Sequence, residues 1–392
     1  MSSATSAASP PPGGATPLRR TPLDALHRAA GATMVDFAGW SMPLRYGSEA
    51  AEHQAVRTTG GLFDLSHMGE IELTGPEAAV ALDHAVVSDL TRLVDGRAKY
   101  TLLCAPDGGI LDDLIVYRLA AEHWLVVANA ANAGLVAGEL AARSAGFSAV
   151  VEDRSADWAM IALQGPRAAG VLAGLTDRDL AALRYYTIAP GTLAGAEVLL
   201  ARTGYTGEDG FEVMVRPDDA ARVWERVLEE GKDAAVVPAG LAARDTLRLE
   251  AGMPLYGHEL SRTLTPYDAG LGRVVALEAP VDFVGRDALA ARAAEPPTRR
   301  LVGLVSLGRR VPRTGYPVLS PDGSRRLGEV TSGAPSPILG RPVAMAYLDP
   351  DAAEPATVVA VDVRGSTERA EVVGLPFYRR PAAATQGSSP SP

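Results

Sequence analysis

The sequence reads as an α+β chain with mixed or antiparallel sheets, followed by a small all-β barrel or sandwich at its C-terminal end. Apolar runs of strand length alternate with helical stretches, without the regular spacing of βαβ units. A Pro-Asp-Gly-Gly turn at 106–109 between two apolar runs marks a hairpin. After the charged, Pro-containing connector AAEPPTRR at 293–300, the remaining apolar runs are short and bounded by turn residues.

Taken in order, the first 17 residues are small, Pro-rich and uncharged, and are expected to form a disordered tail without the marks of a secretory or transit peptide. The segment VDFAGWSMPLRYG at 35–47 sets Phe37, Trp40, Met42 and Tyr46 among glycines and a proline. It reads as a hydrophobic plug, since aromatic residues serve packing more often than ligand binding. Strands are expected over 69–74, 110–119, 124–128, 158–164, 196–203 and 210–215. Helices are expected over 76–87, 132–145, 217–231 and 238–251, the last opened by Pro238 and closed by Gly252. The C-terminal regime contributes RLVGLVSL, YPVLSPDG, RLGEVTSG, VAMAYL, TVVAVDVR and AEVVGLPF. These boundaries divide the chain into 18–292, a barrel at 298–380, and a second disordered tail at 381–392. No repeat of solenoid length is present.

Composition narrows the chemistry. The chain carries 37 Lys plus Arg against 47 Asp plus Glu, a net charge of −10, and only Lys99 and Lys232 are lysines. Schiff-base catalysis therefore has two possible nucleophiles, neither in a recognisable motif. The single Cys104 excludes an internal disulfide or thiolate cluster and fits a reducing, cytoplasmic setting. The acidic balance argues against nucleic acid, and no apolar run is long enough to span a membrane; no metal-ligand spacing appears.

Four segments could carry chemistry. In FDLSHM at 63–68, His67 has no second histidine at ligand spacing and reads as structural. In YTLLCAPDGGILDDLIVY at 100–117, Asp112 and Asp113 lie on one strand. They must face opposite sides, one into a cavity and one outward or to a backbone partner. The loop RTGYTGEDGFE at 202–212 is neither a Walker A sequence nor a dinucleotide fingerprint. Its bare backbone admits a close approach, and Glu208, Asp209 and Glu212 offer acceptors for an N–H-rich ring, or form a solvated acidic hairpin. In LAARDTLRLEAG at 241–252, Arg244 and Arg248 share a helical face, as an ion-pair ladder with Asp245 and Glu250 or as an anion site.

Together with ALQGP at 162–166, TPYDAGLG, DFVGRDAL and GEVTSGAPSPILG, these segments resemble, collinearly, the aminomethyltransferase (T-protein) family of the glycine cleavage system. The resemblance implies a three-domain cloverleaf around a tetrahydrofolate channel, with a jelly-roll-like C-terminal barrel. It implies transfer of an aminomethyl group's carbon from the lipoyl arm of an H-protein to tetrahydrofolate, giving 5,10-methylenetetrahydrofolate and ammonia. Tetrahydrofolate would be co-substrate and lipoylated H-protein the partner. Carried onto this chain, Asp112 would be the key carboxylate, Glu212 would bind the pterin and Arg244 the folate. Met68, Tyr100, Asn129 and Tyr378 would complete the pocket.

Where many relatives carry a tryptophan after TPYDAGLG, this chain has Arg273, which would replace an aromatic wall with an ion pair to the glutamyl tail. Related tetrahydrofolate-dependent demethylases of the flavoenzyme type carry a G-x-G-x-x-G fingerprint that is absent here. Non-enzymatic folate-binding members carry a K-G-C-Y type signature, also absent.

Overall fold

The computed structural model describes residues 17–381. Apart from Pro17 and Pro381, the two expected tails lie outside the described residues. A hairpin of Thr33–Phe37 and Trp40–Arg45, joined in parallel by Arg19–Arg20, makes a small sheet. A second sheet runs Ile188–Leu193, Ala196–Ala201, Gly210–Val215, Ala159–Gln164, Gly60–Asp64, Val236–Pro238, with only the last pair parallel. A third, wholly antiparallel, runs Arg97–Cys104, Ile110–Ala120, His123–Ala128, Gly69–Thr74, Val150–Asp153. Six antiparallel strands between Arg300–Ser306 and Ser366–Val373 close into a barrel. The α+β class and the C-terminal barrel are as expected, and the hairpin at 106–109 turns through Gly108 at φ +85°.

Strand alternation sorts the core. Odd-numbered Ile71 and Leu73, with Val116, Trp124 and Val126, pack under the helices Ala78–Ala85 and Ala133–Arg143. Ile161, Leu163, Phe211 and Val213 pack against Ala168–Ala173 and Pro217–Glu230. The inner faces of the two large sheets meet in a shared core of Phe63, Leu65, Met160 and Met214 against Tyr117, Leu125 and Val127.

The helix expected over 238–251 is shorter. Pro238 ends a strand parallel to Gly60–Asp64, and the helix spans Leu241–Glu250. Proline's fixed φ suits extended backbone as well as a first helical turn. Entry to the helix needs Gly240, where a Cβ would lie 2.3 Å from the Leu44 carbonyl oxygen.

Barrel and sheets are joined by a buried ionic node. Arg57, on helix Glu49–Thr58, donates to Glu250 Oε2 through Nε (3.1 Å) and Nη2 (3.0 Å). It also donates to Glu208 Oε1 (2.9 Å), the Thr206 carbonyl (2.7 Å) and the Leu247 carbonyl (3.2 Å). His53 Nε2 lies 3.0 Å from the same Glu250 oxygen, while Ser336 Oγ and Ile338 N of the barrel donate to Oε1. Burial alone would raise the Glu250 carboxyl, but the His53 and Ser336 hydrogen bonds and the Arg57 charge hold it below its ordinary value. Removing one partner strands a buried charge. Arg57→Met is therefore expected to lower stability by about 3–5 kcal/mol in urea denaturation at pH 7.5. Arg57→Met/Glu250→Gln should recover part of that loss.

Candidate active site

A cavity of about 720 Å³ opens where the inter-sheet core meets the barrel, and Leu65, Tyr117, Val127 and Met160 continue from the core onto its wall. Strand Ile110–Ala120 supplies its carboxylate. Alternation does separate the two aspartates, but the one on the cavity is Asp113. Asp112, expected there as the key carboxylate, is 0% exposed and does not line the cavity; its neighbour does. The residues alone could not say which aspartate faced inward; that depends on how the strand pairs, with Leu102 opposite Asp113 and Leu103 opposite Asp112.

Asn129, at the end of strand His123–Ala128, ties the two carboxylates together. Its Nδ2 donates to Asp112 Oδ1 (2.9 Å) and Asp113 Oδ1 (2.7 Å), and its backbone N–H donates to Asp112 Oδ2 (3.0 Å). Tyr100 Oη donates to Asp113 Oδ2 at 3.1 Å, and Asn132 Nδ2 to Asp112 Oδ1 at 2.8 Å. No cation among the described residues ion-pairs with either aspartate, so burial dominates. It pushes Asp113 up to about 6, against the pull of the Asn129 and Tyr100 hydrogen bonds. Asp112 is pushed up to about 7 by burial and by the Asp113 charge, against its asparagine donors.

The glycine-rich loop at 203–210 admits a protein side chain. Gln164 occupies the space where a Cβ on Gly204 or Gly210 would sit, 2.0 and 2.5 Å from its amide atoms. Its Nε2 donates to the Thr203 carbonyl (3.1 Å) and its Oε1 accepts from Thr206 Oγ1 (2.9 Å). The three acidic residues of the loop divide. Glu208 pairs with Arg57 and Asp209 with Arg202, whereas Glu212 lines the cavity and accepts from the Thr203 hydroxyl. Burial raises the Glu212 carboxyl, and the Thr203 hydrogen bond and Arg244 charge oppose it.

The two arginines of helix Leu241–Glu250 divide as well. Arg248 is saturated by Glu259 (2.8 Å), Asp245 (2.8 Å) and Ser332 (2.6 Å). Arg244 lines the cavity, its guanidinium 4.8 Å over the Tyr205 ring, and no carboxylate among the described residues lies within ion-pairing distance of it.

Met68, Tyr100, Asn129, Glu212 and Arg244 thus meet on one cavity. Tyr378 does not line it. Its ring stacks at 4.1 Å on Arg57, and its backbone N–H donates to the Glu250 carbonyl, so it belongs to the ionic node. Arg273 is exposed on the short helix Gly272–Val274, and Leu271 reaches the cavity instead. Two expectations of mere packing also change. Phe37 of the plug segment lines the cavity at 39% exposure, and His67, 3% exposed, packs edge-on against it at 5.5 Å. Burial lowers His67 to about 4, leaving the imidazole neutral at pH 7. Tyr117, Tyr186, Tyr205, Tyr256 and His258 complete the polar wall; their spacing along the chain follows no motif.

Among known proteins, a family model described as the GCVT N-terminal domain matches residues 23–279, and one described as the glycine cleavage T-protein C-terminal barrel domain matches 299–379. A protein named aminomethyltransferase from Streptomyces avermitilis is 62% identical over 92% of this chain and 98% of its own. One from Desulfitobacterium hafniense is 44% identical over 93% and 99%. The crystal structure of glycine cleavage system aminomethyltransferase T from Bartonella henselae superposes with a TM-score of 0.86 at 38% identity, covering 92% of this chain and 98% of that one.

Asn129→Leu removes the donor common to both aspartates and raises both carboxyls further. Because their folded values already exceed the unfolded ones, ionisation destabilises the fold as pH rises through 6 and 7. The variant should lose about 2–4 kcal/mol at pH 8 and clearly less at pH 5.5, measured by urea denaturation at each pH.

Proposed function

Because the chain belongs to the glycine cleavage T-protein family and is an aminomethyltransferase, we propose that its cavity binds tetrahydrofolate and the aminomethyl-lipoyl arm of an H-protein, with Asp113 at the reacting atoms. The observation that carries the site assignment is the cation-free Asp113 carboxylate facing the cavity, held by Tyr100 and Asn129.

The lining suits a flat ring rich in N–H groups. Glu212 offers an acceptor, Arg244 an uncompensated donor fork, and Met68, Tyr205 and Tyr186 apolar and aromatic surface. Tetrahydrofolate supplies the two nitrogens that receive the one-carbon unit. The rest falls to the chain's own residues. With its carboxyl pushed up to about 6, Asp113 is mostly ionised at pH 7 yet basic enough to take a proton from an attacking amine. As an anion with no competing cation, it also stabilises positive charge developing on the carbon as ammonia departs. Tyr100 and Asn129 fix its two oxygens, so little reorganisation accompanies the step. Holding both substrates in one enclosure supplies much of the acceleration, which requires no protein nucleophile.

The same reading takes 18–292 as the folate-binding region and the closed sheet within 298–380 as a separate barrel domain, supported by barrel strands that begin at Arg300 and end at Val373. A cytoplasmic location belongs to it too and is consistent with a free, buried Cys104. No helix among the described residues is long and apolar enough to cross a membrane.

Incubation with aminomethylated H-protein and tetrahydrofolate should release ammonia and 5,10-methylenetetrahydrofolate in equal amounts. Product from dimethylglycine, and none from that carrier, would overturn the substrate assignment. Asp113→Asn should lower kcat by about 100-fold or more while the KM for tetrahydrofolate moves less than about 5-fold. Arg244→Ala should weaken tetrahydrofolate binding by about 10-fold or more in calorimetry; an unchanged Kd would remove Arg244 from the site.

A further inference from the structure

We infer that Asp112 is a positioning residue: it fixes the sense of the Asn129 side-chain amide, so that Nδ2 is committed to the paired aspartates and Oδ1 faces the cavity as an acceptor for a substrate N–H. The inference rests on the cavity being the site proposed above.

Asp112 is fully buried and does not reach the cavity, so it cannot touch a bound molecule there. Its three donors all come from one short stretch: the backbone N–H of Asn129 at 3.0 Å, Asn129 Nδ2 at 2.9 Å and Asn132 Nδ2 at 2.8 Å. A primary amide carries two N–H donors on one side and a carbonyl oxygen on the other. Here two carboxylate oxygens from different residues lie 2.9 and 2.7 Å from the same nitrogen. A flipped amide would turn its oxygen against both of them, and repulsion among acceptors excludes that arrangement. Asp113 gives the same nitrogen one short contact, at its Oδ1, and only a long one, 3.3 Å, at its backbone carbonyl. Asp112 adds the second short one and also pins the backbone from which the side chain springs.

The consequence lies at the other end of the amide. Asn129 lines the cavity, and no donor among the described residues bonds to its Oδ1. Beside the two asparagines, the titratable neighbours of the pair are Tyr100, Tyr186, Tyr205 and Tyr256, neutral at physiological pH, and no cation among the described residues bonds to either carboxylate. The wall presented there is one of acceptors, suited to an amine or ring N–H. A buried carboxyl at 112 without a counter-ion is costly, and an oriented acceptor at the reacting centre is a use that offsets the cost.

The test is Asp112→Asn, examined first without ligand. In protein labelled with 15N only at asparagine, the Asn129 side-chain NH2 signals should be strongly inequivalent and slow to exchange in the wild type, and collapse towards free-amide values in the variant. Kinetically, kcat should fall about 10-fold or more while the KM for tetrahydrofolate changes less than about 3-fold. A variant that only melts earlier, with unchanged amide signals and an unchanged kcat, would overturn the inference.

Should Asp112→Asn not fold, Asn132→Ala keeps Asp112 but removes one of the donors that fix its carboxylate. A smaller collapse of the Asn129 amide signals with a smaller loss of kcat is expected, and the absence of both would overturn the inference equally. Absence of turnover in the wild type would count against the proposed function alone, since the amide signals are read on the ligand-free protein.

Discussion

The architecture depends on one buried guanidinium. Arg57 sends all its donor directions to fixed acceptors: two to Glu250, one to Glu208, and others to the carbonyls of Thr206 and Leu247. These acceptors belong to the glycine-rich loop and to the helix Leu241–Glu250, while Glu250 also holds Ser336 and Ile338 of the barrel. A buried ion pair adds little net stability against an apolar replacement, but it enforces one geometry. Here the geometry is the placement of the barrel against the helix Leu241–Glu250 and the glycine-rich loop, beside the apolar contact of Leu249 with Ala334, Val343 and Met345. Lysine could not substitute, because a point charge cannot satisfy acceptors spread in a plane.

Seen from the cavity, the same constraint places chemistry. With the glycine-rich loop anchored, Glu208 and Asp209 are drawn into ion pairs, and only Glu212 is left to face the cavity. With the helix anchored through Arg248 and Glu250, Arg244 projects into the cavity without a counter-ion. The functional groups are those the structural ion pairs leave over. The carboxylate at the centre is governed differently, by burial and neutral donors, and that keeps its basicity in a useful range.

Much of this was legible in the chain. Alternating or continuous apolar runs located the strands Gly69–Thr74 and Gly210–Val215, and the Pro-Asp-Gly-Gly turn located the hairpin that carries the aspartates. Collinear motifs supplied the family and five of the residues that line the cavity. What they could not supply was direction. Whether Asp112 or Asp113 faces inward is set by strand pairing, and a shift of one residue would exchange them. Tyr378 was drawn to the ionic node by a guanidinium more than three hundred residues away in sequence, a contact without local signal. The strand that ends at Pro238 was hidden because proline's φ fits either assignment.

The helix Leu241–Glu250 carries both the cavity's free guanidinium and the clamps that hold the barrel, within two turns of one another. Binding at the first therefore couples to integrity at the second. A ligand seated on Arg244 binds only while this helix is formed, so mass action stabilises every element bound to it, by about 2.7 kcal/mol at a hundredfold excess over Kd. The barrel, which contributes little to the walls of the cavity, shares that protection through Ser332 and Ser336. Substrate supply in the cell would then set how long the whole chain survives local opening and proteolysis, as well as how fast it turns over.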